Sequence, residues 1–482
     1  VKEKKYLTTG IIKHIFIKIL FIYVYELCWR KVALIMKQMT IRAELADYLK
    51  KNGITFNQFA EVSKVNSGTI SNIINGNRPI AMQQLDRITE GMGLEEGSYY
   101  DLYVDDCFIH SNPNWRRLRP FLYRCAELDK LECIRRVVGL MMDSLSYTSS
   151  LFDTAEDFFA QGKHEAAAML YQSVADSEKY QHSERLAFCQ YRLFTIALGD
   201  DQEANLRAAV QFEGFVNRLD EVDQLDALKV LANTYSALRQ WHKVKAMATE
   251  MGSKATIQYH YNYERARKNR IQKEPEMPLF SYILYSYVLR SVVYSELGDY
   301  DRALHYVNLY LDMSWIREET EEALQLMNQC MMWAQAHIYL LRILKGDVAV
   351  LPEYVAYLEQ QEEEILPGLF KIVQAANHYH FNVDAILLRF EKDISEYRDQ
   401  LFIAELAFYY IKRGKYEISL KYILESMESS IKNKSEACII KCVGMFEQLR
   451  HTASLETQKE YQKLIGEVQR INEKKNGFMI VS

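Results

Sequence analysis

No proline interrupts the chain between Pro120 and Pro275, nor anywhere after Pro367. Proline removes a backbone donor and glycine carries extra chain entropy, so the two residues punctuate regular structure. With 7 Pro and 19 Gly in 482 residues, the chain can run helix after helix but has few places to turn between strands. The uninterrupted stretches are rich in Leu, Ala, Glu, Lys, Gln and Tyr, most of them good helix formers. The pattern predicts an all-α fold and excludes a large sheet. At roughly 100–200 residues per domain, the length allows two to four domains. A chain 49% hydrophobic and 26% charged is globular rather than disordered.

The cysteines, Cys28, Cys107, Cys125, Cys133, Cys189, Cys330, Cys438 and Cys442, are scattered, with no C-x-x-C pair. Even Cys438 and Cys442, spaced to share a helix face, read as buried apolar thiols. The usage fits a reducing cytoplasm rather than a disulfide scaffold. Net charge is −5, unevenly spread: residues 1–38 hold eight Lys/Arg against two Glu, so the remainder carries −11. Within that basic segment Ile11–Trp29 is apolar, but Lys13, His14, Lys18 and Glu26 break it. Its longest uncharged run, Ile19–Tyr25, is far short of the ~20 residues a membrane span needs. No small-residue cleavage site follows, so no signal peptide is expected. Residues 1–38 read as a doubtful N-terminal extension translated from upstream of a start at Met36 or Met39, with a membrane-surface helix or a genuine ordered element as the alternatives. No stable membrane insertion is expected.

Residues 39–96 carry a sharper pattern. Ile41, Leu45, Tyr48 and Leu49 recur at helical spacing until Asn52-Gly53 stops the helix. Thr55-Phe56-Asn57-Gln58 is a capping box opening a second helix, with Phe59, Ala60 and Val62 expected on its inner side. After a turn at Ser63-Lys64-Val65, Asn66 caps a third helix ending near Asn75-Gly76. Ile70 and Ile73 face inward there, leaving Ser67, Gly68, Ser71 and Asn72 outward. A fourth helix from about Ala81 to Met92 buries Met82, Leu85 and Ile88.

This stretch resembles the Cro/C1-type (XRE) helix-turn-helix domain, through Ile54-Thr55, Phe59-Ala60, Val65, Thr69-Ile70-Ser71, Ile73, Asn75-Gly76, Arg78-Pro79, Leu85 and Ile88. In that family the third helix enters the major groove of DNA. The resemblance implies that Asn66, Ser67, Gly68 and Asn72 contact bases, Asn72 above all, because a carboxamide can pair bidentately with adenine. It implies that Thr55, Ser71, Asn77 and Arg78 contact phosphates, which position without reading sequence. Residues 40–80 hold five Lys/Arg against three Asp/Glu, so nonspecific affinity should be modest and dimerisation important.

Glu95, Glu96, Asp101, Asp105 and Asp106 form an acidic patch at the start of residues 97–144, read as linker helices. The arginines of Trp115–Arg119 read as a solvated helix face. In residues 145–450 one phrase recurs: an aromatic, Gly four residues on, an aromatic or His two later, and a small residue three after that. It appears as Phe158, Gly162, His164 and Ala167; as Tyr294, Gly298, Tyr300 and Ala303; and as Tyr410, Gly414, Tyr416 and Ser419. Tyr235-to-Val244, with Arg239 in the glycine's place, is a weaker copy, and Gly199 and Gly346 mark decayed turns. Two helices meet at a Gly turn and a small residue lets them cross closely, but one such unit cannot bury its own apolar face. The phrase resembles the tetratricopeptide repeat, and room exists for about eight or nine units. Residues 451–482, with a charged helix from Glu456 to Lys474, read as a capping or dimerisation element and tail. Arg265, Arg267, Lys268, Arg270 and Lys273 form a basic stretch between repeats.

A Cro/C1-type domain followed by a tetratricopeptide-like α-solenoid resembles the peptide-pheromone receptor regulators of Gram-positive bacteria and their phages, the Rgg, PlcR and PrgX group and the arbitrium receptors. The resemblance implies a cytoplasmic homodimer that binds a palindromic double-stranded DNA operator and holds a short linear signalling peptide in its repeat groove. The groove should then present amides for a peptide backbone and a cation for its carboxylate; Asn233, Arg290, Asn328, Gln329 and Asn377 are the candidates. No nucleotide loop, zinc motif or nucleophile elbow occurs, so no enzyme and no cofactor is expected. His378, His380 and Asp384 could be drawn as a metal site, but the spacing of the histidines splits them across a helix. A scaffold protein and a repressor without a peptide stay open as alternatives.

Overall fold

The computed structural model describes residues 40–108, 113–141, 145–181, 183–266, 274–396, 399–433 and 435–478. Among them every regular element is a helix, and the chain divides into two compact units at Asp220 and Glu221. The extension at 1–38 and the side chains of the basic stretch from Arg265 to Lys273 lie outside the described residues. No described helix is long and apolar enough to cross a membrane.

The first unit contains α1 (Ile41–Asn52), α2 (Phe56–Ser63), α3 (Ser67–Ile74), α4 (Met82–Gly91), α5 (Tyr100–Phe108), α6 (Trp115–Glu127) and α7 (Leu131–Met141). Two helix pairs follow, α8 (Thr148–Ala160) with α9 (His164–Glu178) and α10 (Glu184–Ala197) with α11 (Gln202–Glu213). One apolar core runs from Ile41 to Cys189, so the boundaries expected at 96/97 and 144/145 fall inside continuous packing. The acidic patch is what joins these segments. Asp106 on α5 accepts from Arg117 on α6 at 2.7 Å and pairs with Arg42 on α1 at 3.3 Å. Arg136 on α7 holds both Asp101, at 3.1 Å, and Asp105, at 2.8 Å. Arg117 therefore does not lie on a solvated face, contrary to the reading of Trp115–Arg119: tertiary pairing draws it inward, while Arg119 pairs with Asp157 at the surface.

Packing of α4 on α2 depends on Gly91. A Cβ there would stand 2.8 Å from Ser63 Cβ and 3.2 Å from Phe59 Cζ, with Ser63 backbone behind. Gly91→Ala should cost about 1–3 kcal/mol through overpacking, read as an earlier denaturation midpoint. An unchanged midpoint would mean that the two helices part freely.

The second unit continues as pairs: α12 (Glu221–Ala237) with α13 (Trp241–Ala266), then α14 (Leu279–Glu296) with α15 (Tyr300–Leu311). Next come α16 (Glu321–Leu344) with α17 (Leu351–Leu358), and α18 (Ile365–Tyr379) with the short α19 (Asp384–Arg389) and α20 (Glu391–Glu396). The last pairs are α21 (Gln400–Lys412) with α22 (Tyr416–Lys432), and α23 (Glu436–Leu449) with α24 (Leu455–Phe478). Neighbours in sequence pack on one another, with further contacts between alternate helices such as α16 with α18 and α22 with α24. On α24, Tyr461 stacks on Phe446 with centroids 3.8 Å apart, and Leu464 is buried beside the end of the last pair.

The recurring phrase marks one backbone turn. Lys163 N donates to Phe158 O at 2.9 Å, Asp299 N to Tyr294 O at 2.8 Å and Lys415 N to Tyr410 O at 3.0 Å. The glycine between sits at φ 73° in Gly162, 75° in Gly298 and 67° in Gly414. Each N–H closes the helix end by reaching back past a left-handed residue, which glycine adopts without strain. The weaker copy makes the same bond, Gln240 N to Tyr235 O at 2.9 Å, with Arg239 forced to φ 54°. Gly346, at φ 92°, serves the same role. The small residues Ala167, Ala303 and Ser419 are fully buried where the helices cross.

Candidate nucleic-acid interface

The geometry around α2 and α3 is set by their caps. Thr55 N–H donates to Gln58 Oε1 at 2.9 Å, while Gln58 N–H donates to Thr55 Oγ1 at 3.4 Å. The Thr55 hydroxyl also donates to Gln58 Oε1 at 2.9 Å, so a phosphate contact would require it to turn from that bond. Lys64 ends α2 at φ 56°, and Arg87 braces its carbonyl at 3.2 Å. Asn66 then caps α3, its Oδ1 accepting from Gly68 N at 2.9 Å. A Cβ at Gly68 would stand 3.1 Å from that oxygen, so any larger residue there would press on the cap.

Ile70 and Ile73 are fully buried against the core, with Phe59 and Leu85. This turns Gly68 and Asn72 to solvent, with Asn66 exposed at the start of α3 and Ser67 and Ser71 half-buried. Asn77 and Arg78 are exposed just beyond its end. Val62 is not on the inner side of α2 as expected; it is 63% exposed, and Phe56 is 41% exposed. An eight-residue helix has room for one buried stripe, and Phe59 and Ser63 fill it. Lys50, Lys51, Lys64 and Arg78 are exposed cations, whereas Arg42 is held by Asp106. The surface can therefore offer amide donors and acceptors, an approachable backbone and a light positive charge.

The peptide candidates are distributed over four helices of the second unit. Asn233 is exposed on α12 and accepts from Tyr285 OH at 2.6 Å. Arg290 on α14 donates to Tyr306 OH and lies 4.2 Å from the centre of that ring. Asn328 and Gln329 are exposed on α16. Asn377 on α18 is buried and lines a cleft of about 460 Å³. Asp384 is held by Lys415 at 2.8 Å and Tyr409 OH at 2.9 Å rather than directed to the histidines. Among the described residues no group of three His, Cys, Asp or Glu side chains is placed to hold a metal. The described cysteines are buried and form no disulfide with one another.

These features define an all-α protein of successive packed helix pairs, preceded by a cluster of short capped helices. No protein-family model matches the chain, and no curated protein does. Among solved structures it is similar to a circular tandem repeat protein with novel repeat topology and enhanced subunit contact surfaces, at 12% identity over 89% of this chain and 90% of that one. The TM-score of that pairing is 0.13, too low to carry an argument.

Proposed function

We propose that the protein is a sequence-specific DNA-binding transcriptional regulator with a Cro/C1-type helix-turn-helix at residues 39–96. Its DNA affinity is set by a short linear peptide held in the tetratricopeptide-like region. The observation that carries the reading is α3: a helix fixed by the Asn66 cap and by buried Ile70 and Ile73, with Gly68 and Asn72 turned outward. That is the presentation that base reading in a major groove requires. The protein acts as a cytoplasmic homodimer on paired half-sites, in keeping with the light charge of one head and with buried thiols that form no disulfide among the described residues. Peptide binding shifts the spacing of the two heads, and the protein has no catalytic role.

Footprinting on the DNA flanking the gene, with and without a small-peptide fraction of culture medium, tests both halves. Two protected half-sites whose occupancy changes with the fraction are expected. Asn72→Ala should lower specific affinity by about 1–3 kcal/mol, roughly five- to 150-fold, and leave nonspecific binding unchanged. Equal binding of the variant would remove Asn72 from base reading. Absence of protection even at low salt would favour a scaffold role.

A second reading, a repressor without a peptide, has an observation of its own. Tyr285 already engages Asn233, and Tyr306 engages Arg290. If these contacts persist, the groove is filled by the chain's own side chains, and occupancy would be indifferent to the peptide fraction.

A further inference from the structure

We infer that Cys438 and Cys442 form a two-coordinate site for a soft monovalent metal ion, copper(I), inside the last helix pairs of the second unit. The inference stands apart from the proposed function and draws nothing from it.

The packing gathers the two sulfurs around one oxygen. Cys438 and Cys442 lie a turn apart on α23, in the core that α21, α22, α23 and α24 share. Ser426 on α22 touches both: its Oγ lies 3.6 Å from Cys438 Sγ and accepts from Cys442 Sγ at 3.2 Å. Cys438 Sγ also lies 3.5 Å from Gln400 O at the start of α21, the carbonyl to which Ser426 donates at 2.8 Å. A small polar pocket thus sits within apolar packing, with two thiols facing into it.

The alternatives for such a pair fail on geometry. Residues four apart on a helix have Cβ atoms ~5–6 Å apart, whereas a disulfide needs ~3.5–4.5 Å, so oxidation would break α23. An ion held between the sulfurs closes that gap without moving the backbone. Zinc calls for four ligands, and among the described residues no third His, Cys, Asp or Glu joins the pair. Two thiolates alone suit a soft ion of low charge. Burial points the same way, because Cys438 is 2% exposed and Cys442 fully buried. A bare ion needs only the space between the sulfurs, while a thiol-reactive molecule of several atoms would need a cavity. The ion enters through local opening of the terminal helices.

Binding exchanges a proton for the metal. The neighbouring thiol draws Cys438 below the ordinary thiol range, and Cys442 is pushed above it in turn. The Cys438 thiolate and the Cys442 thiol take up one copper(I); the Cys442 S–H bond breaks, its proton leaves, and two copper–sulfur bonds form. Copper keeps its oxidation state. The complex carries a single negative charge, offset by Lys441, whose ammonium acts on both sulfurs. Ser426 turns its hydroxyl proton from Gln400 O to the metal-bound sulfurs, orienting them.

Anaerobic titration of the reduced full chain with copper(I), against bicinchoninate as competing chelator, tests the site. One copper(I) per chain should be withheld from the chelator, and zinc should bind more weakly. Cys438→Ser and Cys442→Ser should each lower copper(I) affinity by at least about 100-fold, the upper end of what loss of a group beside a ligand costs. Cys125→Ser should change nothing, although Cys125 and Cys133 are the other adjoining thiols. Matching circular dichroism melts confirm that the variants fold. X-ray absorption at the copper edge of the wild-type protein gives a readout that needs no variant, and should show two sulfur neighbours and no third ligand. No retention against the chelator, zinc held as tightly as copper(I), affinity undiminished in both cysteine variants, loss in Cys125→Ser alone, or a third ligand on the copper overturns the site.

Discussion

Asp106→Ala should destabilise the first unit by about 3–5 kcal/mol, a larger loss than any surface substitution can produce. Asp106 is 5% exposed and is the shared anion between two arginines from different helices. Arg117 also reaches Ile80 O at 3.2 Å through Nε, and Tyr103 OH donates to the same carbonyl at 2.8 Å. Removal of the carboxylate leaves two half-buried cations facing each other, with Arg42 Nε already lacking a partner. The cost is that of uncompensated charge rather than of a lost attraction. Denaturant midpoints of wild type, Asp106→Ala and the triple variant Arg42→Met, Asp106→Leu, Arg117→Met separate the two. The triple variant should recover much of the loss, since apolar groups of similar size replace the whole network. A single variant within about 0.5 kcal/mol of wild type would show that solvent or other groups already screen these arginines.

The same cluster marks where sequence reasoning stops. Caps and turns are short-range, and they were legible: the Thr55–Gln58 box, the Asn66 cap and the left-handed Gly53 and Gly76 follow from residues within a few positions. The inward stripe of Ile70 and Ile73 follows from helical periodicity in the same way. Arg117 departs from the solvated face expected of its run because its partner lies on another helix, beyond the reach of any local pattern. Val62 departs from its expected inward position because spacing alone suits either side of an eight-residue helix.

The repeat region shows both sides of this limit. Glycine at the left-handed turn made three copies readable, but the backbone bond persists where Arg239 replaces it, so the turn outlasts its best signal. The candidate groove was less accessible still. Asn233 and Arg290 are engaged by tyrosines 52 and 16 residues away, a coupling no local pattern encodes. Asn377 had no sequence signal for its actual partner: its amide donates to Glu405, which Lys441 neutralises from another helix. Side chains fixed by their neighbours in sequence were therefore legible, and those fixed by pairing across helices were not.

Such pairing also gives the second unit a dependence on pH. Tyr310 is fully buried on α15, and its hydroxyl lies 2.8 Å from His337 Nδ1 on α16. Burial of the imidazole pushes His337 from 6.5 down to about 4. Between those values the unfolded chain binds a proton that the folded one does not, so stability must fall as pH is lowered through the window. The expected loss is about 2 kcal/mol between pH 7 and pH 5, reaching about 3 kcal/mol near pH 4 and levelling off below it. His337→Gln keeps an acceptor for Tyr310 and cannot titrate. Urea unfolding of the full chain at several pH values should show a shallower fall for the variant than for wild type over pH 7 to 5. Carboxylates titrate mainly below that range, and the remaining histidines are common to both proteins, so the difference between the two profiles reports His337. Parallel profiles would mean that water reaches the ring and that the histidine protonates in place without disturbing Tyr310.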